Sequence, residues 1–201
     1  QECSSFASDS KKFNNLINVP LDMMKDKPQE CTKYYSDQVC DAISKLSQRL
    51  DWNVIDKVLQ AIHDSDSVAF FGTQFSHSAA LHFQTDLLML EKFTMAYMET
   101  ERQIDCARLM DENSVAIIVT VNGFYARSNS KVLQYLKKSK CKVVLMTNNP
   151  GIDIGINVNY TIVLGDSEQR KIGKHTLLTA VELMSLRYYS LYYPGIQEKI
   201  I

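Results

Sequence analysis

The chain has 201 residues, of which 45% are hydrophobic, 22% charged and 9% aromatic, the proportions of one globular domain. This excludes a disordered tract, a collagen-like repeat and a disulfide scaffold, and the length suffices for a core that needs no metal or cross-link. Twenty-two Lys and Arg against 23 Asp and Glu give a net charge of -1, without the basic excess or Lys/Arg stripe of a free-standing nucleic-acid binder.

Residues 1 to 28 are polar, contain Pro20 and Pro28 and lack sustained periodicity, so they read as a tail or linker. Two amphipathic helices follow. Tyr35, Val39, Ile43, Leu46 and Leu50 recur at helical spacing in the first, and Ile55, Val58, Leu59 and Ile62 in the second, which Asp51 is placed to cap. The pattern then changes to short continuous apolar runs: Val68–Phe71, Thr94–Met98, Val115–Val119, Val143–Met146 and Tyr160–Leu164. Runs without alternation are strands buried on both faces. The helical spacing between them, as at Ala80, Phe83, Leu87 and Leu90, supplies the crossovers that parallel strands need. A last helix over about 175 to 192 carries Leu177, Val181, Met184, Tyr188 and Leu191 on one face. The expected fold is a three-layer α/β/α sandwich with a five-stranded parallel sheet, preceded by two helices.

The cysteines, Cys3, Cys31, Cys40, Cys106 and Cys141, are scattered and odd in number, with no C-x-x-C and no His at ligand spacing. Free thiols in a reducing cytoplasm are expected, and neither a metal nor a cofactor. No apolar run approaches the ~20 residues that span a bilayer. The Asn159-Tyr160-Thr161 sequon falls in an expected strand and is read as chance. The chain opens on Gln1 rather than Met, as a piece of a longer protein would.

In an open α/β sheet, ligands bind beyond the carboxyl ends of the strands, where the strand order reverses. Two strand-to-helix turns carry suitable chemistry. Gly72-Thr73-Gln74-Phe75-Ser76-His77-Ser78 follows the first strand and brings a tight turn and three hydroxyls to a helix start, where free N–H groups and the dipole favour an anion. Thr120-Val121-Asn122-Gly123-Phe124-Tyr125-Ala126-Arg127-Ser128 follows the third and adds an amide, a second glycine and a cation. Ser, Thr and Asn at helix starts are ordinarily plain caps, so it is the pairing of the turns that points to an anion site.

At these residues the chain resembles the SIS, or sugar isomerase, family, a flavodoxin-like fold. That family has G-x-G-x-S after its first strand and S-x-S-G-x-T after its third. Gly72-Thr73-Gln74-Phe75-Ser76 stands for the first motif and Thr120-Val121-Asn122-Gly123-Phe124-Tyr125 for the second. The resemblance covers about residues 30 to 193. Gln74 replaces the second glycine of the first motif, and Thr120, Asn122 and Tyr125 replace Ser, Ser and Thr in the second. The bulk of Tyr125 is expected to intrude where a small hydroxyl faces the anion.

With two leading helices and a polar tail, the chain is most similar to the effector half of RpiR-type bacterial transcriptional regulators. The resemblance implies a phosphorylated-sugar effector held by Thr73, Ser76, Thr120, Asn122, Gly123 and Tyr125, with Arg127 and His175 as further candidates. It also implies a homodimer and control of a sugar-metabolism operon. DNA would be read by a helix-turn-helix domain before Gln1, with residues 1–28 as the linker from it and 29–201 as the sensing domain. The alternative is a free-standing phosphosugar isomerase or deglycase, for which Glu99, Glu101, His77 and His175 are the candidate bases. No pair among them stands at a spacing that declares a base, so no catalytic residue is assigned. The tyrosines Tyr188, Tyr189, Tyr192 and Tyr193 and the run Asp86–Leu90 are expected to serve as core, the tyrosines also as dimer contact.

Overall fold

The computed structural model describes residues 19–121, 123–165 and 173–193. Helices α1 (Leu21–Asp26), α2 (Pro28–Arg49) and α3 (Trp52–Asp64) precede the sheet. There follow β1 (Ser67–Phe71), α4 (Phe75–Met89), β2 (Thr94–Ala96), α5 (Thr100–Leu109), β3 (Ser114–Val119), α6 (Phe124–Ser128), α7 (Ser130–Ser139), β4 (Lys142–Thr147), β5 (Tyr160–Val163) and α8 (Gly173–Tyr192). All five expected strands form. The sheet is wholly parallel, in the order β2-β1-β3-β4-β5.

The strands are buried on both faces because their side chains alternate between two cores. Val68, Phe70, Val115, Ile117, Val119, Val144 and Met146 face the layer of α2, α3, α4 and α8. Ala69, Phe71, Ala116, Ile118, Val143 and Leu145 face the layer of α5, α6 and α7. Truncating a fully buried side chain such as Ile55, Leu59 or Ile62 costs about 2–5 kcal/mol. Asp51 caps α3 as expected, accepting from the N–H groups of Asn53 at 2.9 Å and Val54 at 3.2 Å.

Four features depart from the sequence reading. Within the expected linker, Leu21–Asp26 is helical but buries no residue. The second strand stops at Ala96, and the next carbonyl, that of Tyr97, accepts a side-chain hydrogen bond from Gln103. Of the Asp86–Leu90 run, Leu87 alone is fully buried, while Leu88 and Met89 turn outward, Met89 80% exposed. The β4-to-β5 connection is not a helix; it covers the sheet with Ile152, Ile154, Ile156 and Val158, which pack on the α5–α7 side.

The tyrosines at the end of α8 do join the core: Tyr188 is fully buried, and Tyr192 stacks on His63 of α3 at 3.8 Å between ring centroids. Cys31, Cys40, Cys106 and Cys141 are free thiols, and Cys3 lies outside the described residues.

Candidate functional site

Right-handed crossovers place α4, which leads left from β1, on one face of the sheet. They place α5, α6 and α7, which lead right, on the other. The order therefore reverses between β1 and β3, and the chain leaves these neighbouring strands toward opposite faces. The crevice so made lies between the Gly72 and Gly123 turns.

The first turn is tightly built. A Cβ at Gly72 would stand 3.1 Å from Ser76 Cβ and 3.2 Å from the Ser76 carbonyl carbon, so glycine lets the strand end lie this close to α4 without pushing Ser76 outward. Gln74 adopts φ 52° and ψ -123°, a region that glycine occupies readily and a side chain only with strain. The chain thus keeps the backbone shape of a glycine motif with a glutamine in it. Thr73 and Ser76 are half-buried, and among the described residues their hydroxyls make no side-chain hydrogen bond; the Ser76 N–H donates to the Thr73 carbonyl at 3.1 Å.

The second turn is closed from within. Thr120 is 3% exposed, and its Oγ1 accepts from the Tyr125 N–H at 3.3 Å, so this hydroxyl serves as the cap of α6. Gly123 takes φ 74°, and a Cβ there would stand 1.9 Å from Ile152 Cδ1. Tyr125 does not intrude into the crevice. Its ring is 1% exposed and its hydroxyl donates to Oε1 of Gln103, so it lies beneath the turns and offers no hydroxyl to a ligand from this position. Arg127 is exposed, with Nη1 3.6 Å from where a Gly123 Cβ would lie. Asn122 lies outside the described residues.

The start of α8 approaches both sides of the crevice. Lys174 Nζ lies 5.5 Å from the centre of the Phe75 ring at the head of α4. Gly173 packs on Val121 and Asn148, at the ends of β3 and β4. His175 is half-buried and is joined to the Tyr35 hydroxyl of α2 through Nε2 at 2.6 Å. Burial holds its pKa below the ordinary histidine value, and the Lys174 charge acts in the same sense. His77 is also held low by burial, against the opposing charge of Glu99. Glu99 precedes α5 without a side-chain capping bond, and Glu101 lies in its first turn.

Three residues to which the sequence reading gave no part in the site shape it. Gln103 is 1% exposed; its Nε2 donates to the carbonyls of Gly72 at 3.0 Å and Tyr97 at 2.7 Å while its Oε1 holds Tyr125. The clue to it was a long polar residue on the buried face of α5, beside Ile104 and Ala107. Asn148 is 1% exposed, and among the described residues neither of its amide atoms has a hydrogen-bond partner; His77 Nδ1 is likewise buried and has none among them. Tyr35, assigned to an apolar helix face, contributes its hydroxyl instead. No cluster of His, Cys, Asp and Glu that could hold a metal occurs among the described residues, and no helix among them is long and apolar enough to cross a membrane.

No protein-family model matches the sequence, and no curated protein matches it. Solved structures do. NanR of Vibrio vulnificus, complexed with ManNAc-6P, superposes with a TM-score of 0.73 at 14% identity, over 88% of this chain and 69% of that one. The sugar isomerase domain of an RpiR transcription factor from Sphaerobacter thermophilus gives a TM-score of 0.60 at 13% identity, over 83% and 97%. The phosphoheptose isomerase GmhA of Neisseria gonorrhoeae gives 0.66 at 14%, over 82% and 100%. Regulators and enzymes thus stand side by side among the structures this chain is similar to. The architecture reached here from strand order and turn geometry is the sugar isomerase, or SIS, fold.

Proposed function

We propose that this chain binds a phosphorylated sugar in the crevice between the Gly72 and Gly123 turns, as the sensing domain of a transcriptional regulator. The observation that carries the reading is the first turn. A strained, glycine-like backbone at Gln74 sets the hydroxyls of Thr73 and Ser76, which make no side-chain hydrogen bond among the described residues, beside the N-terminus of the long helix α4, an arrangement suited to a phosphate. Gly123 and Thr120 form the facing wall, with exposed Arg127 at its rim; Asn122, between Thr120 and Gly123 in sequence, is proposed as a further contact. Tyr125 acts from below, its hydroxyl held by Gln103 and its backbone N–H by Thr120.

The fold likeness to NanR and to the RpiR domain supports a sensor, as does the balanced charge of a chain that reads no DNA by itself. In this reading DNA is bound by a separate domain of the regulator. The domain pairs as a homodimer through the outer faces of the adjoining helices α4 and α8, where Leu81, Leu88, Leu178 and Leu186 are 41–58% exposed. Sugar phosphate favours one arrangement of the pair and so repositions the DNA-binding domains.

A phosphosugar isomerase is the second reading. It is favoured by His77, a buried imidazole kept neutral with Glu99 nearby, a pair suited to moving a proton, and by the likeness to GmhA. One experiment addresses both. Thermal unfolding against a panel of sugar phosphates, at about 100 times the dissociation constant, is expected to show about 2.7 kcal/mol of stabilisation that Ser76→Ala reduces. No aldose-ketose interconversion is expected when the same mixtures are followed by NMR. Stabilisation by none of the panel overturns the sensor; turnover replaces it with the enzyme.

A further inference from the structure

Asn148 follows β4 at the carboxyl edge of the sheet. Its backbone N–H donates to the Val121 carbonyl at 3.1 Å, so the residue is held firmly beside the entry to the second turn. Its side chain is 1% exposed, yet among the described residues neither Nδ2 nor Oδ1 has a hydrogen-bond partner. Buried amides are almost always paired, and an orphaned donor and acceptor on one side chain oppose folding. The surroundings are specific. Gly173, the first residue of α8, lies directly over the amide: a Cβ there would stand 3.0 Å from Nδ2 and 3.1 Å from Val121 Cγ1. The next residue, Lys174, reaches Phe75 at the head of α4. The amide therefore sits where the second turn, the end of β4 and the start of α8 meet.

We propose that the Asn148 amide reads the sugar moiety of the ligand, pairing with a donor and an acceptor supplied by its hydroxyls. This rests on the sugar-phosphate reading above and adds to it the part of the ligand that is recognised. The chemistry selects the partner. The phosphate group of a sugar-phosphate monoester, chiefly the dianion at neutral pH, offers only acceptors, so it satisfies Nδ2 but leaves Oδ1 without a donor. A hydroxyl both donates and accepts, so two neighbouring hydroxyls satisfy both ends of the amide. Gly173 covers the amide with backbone alone, and the ligand engages it by displacing that first residue of α8. The ligand class is a polyhydroxylated phosphate ester, with discrimination against phosphate esters that lack the hydroxyl pair; a site built to bond hydroxyls rejects analogues without them strongly.

The test compares inorganic phosphate, ManNAc-6P and arabinose 5-phosphate on the wild-type chain and on Asn148→Leu. Leucine has the same branched outline as asparagine and removes both orphaned atoms, so the ligand-free variant is expected to unfold at or above the wild-type temperature. Its affinity for the sugar phosphate that the wild type prefers is expected to fall about tenfold or more, with phosphate affinity unchanged. In the wild type, where folding of a variant is not at issue, NMR titration is expected to shift the Asn148 side-chain NH2 and the Gly173 N–H with that sugar phosphate and not with phosphate. Unchanged sugar-phosphate affinity in the variant, or resonances unmoved in a wild type that binds, overturns the role of Asn148 and leaves the sensor reading in place. A wild type that binds neither phosphate nor any sugar phosphate overturns both.

Discussion

The Tyr125 hydroxyl, in the first turn of α6, donates to Oε1 of Gln103 on α5, and the same Gln103 amide donates to the carbonyls of Gly72 and Tyr97. One buried side chain thus ties the turn after β1, the end of β2 and the turn after β3. The two walls of the crevice are fixed relative to each other from below, without using any group that faces a ligand.

Removing the hydroxyl therefore has a defined cost. Tyr125→Phe leaves Oε1 of Gln103 buried and unpaired, and is expected to lower the unfolding free energy by about 1–3 kcal/mol. Gln103→Leu orphans the Gly72 and Tyr97 carbonyls together with the Tyr125 hydroxyl, and is expected to cost more. Urea unfolding of both variants and of the double variant measures the coupling. Additive losses would show that the bond contributes nothing.

Gln74 offers the opposite sign. Its φ of 52° with ψ of -123° is a conformation in which a side chain is strained, and the side chain is exposed and caps nothing. Gln74→Gly is expected to raise stability by about 1 kcal/mol, the relief of strain exceeding the entropy that glycine adds to the unfolded chain. A fall in the urea midpoint would show that the glutamine side chain makes a compensating contribution.

Much of this architecture was legible in the chain. Five apolar runs without alternation declared strands buried on both sides, and all five form with the expected parallel pairing. The turns were legible because Gly72 and Gly123 mark backbone requirements that few residues meet. The direction of individual side chains was not. Tyr125 occupies a position where the family resemblance has a small hydroxyl, yet a buried acceptor 22 residues earlier turns its ring into the core. Nothing local to either residue announces that bond. Asn148 was readable only as the end of a strand, since its isolation follows from α8 folding back over it. Met89 misled for a simpler reason: a continuous apolar run on a helix must expose part of itself once one face is committed to the sheet.

Stability is expected to fall as the solution is acidified below neutrality. Burial holds His77 and His175 beneath 6.5, the ordinary histidine value. As the pH falls through 6.5 the unfolded chain takes up these protons before the folded protein does. The stability they contribute is thus complete above 6.5 and is lost until the folded imidazoles are themselves protonated. For His77 the Glu99 carboxylate moderates the effect; for His175 the Lys174 ammonium reinforces it. Urea unfolding between about pH 7.5 and pH 5.5 is expected to show the decline, and His77→Gln/His175→Gln to flatten it. An equal slope in the double variant would assign the dependence to other groups.

Gly123 is where the second turn and the β4-to-β5 connection depend on each other. Its φ of 74° admits a side chain only with strain, and the added Cβ of Gly123→Ala would stand 1.9 Å from Ile152 Cδ1, well inside van der Waals contact. The two penalties separate. The backbone part is about 1 kcal/mol and persists whatever the neighbours do. The steric part falls on the end of a flexible, half-buried side chain and is removed by shortening it. Gly123→Ala is therefore expected to destabilise by about 2–3 kcal/mol. Against an Ile152→Ala background the same substitution is expected to cost only the backbone part. Equal costs in both backgrounds would show that Ile152 swings away freely and that the glycine is required for its backbone alone.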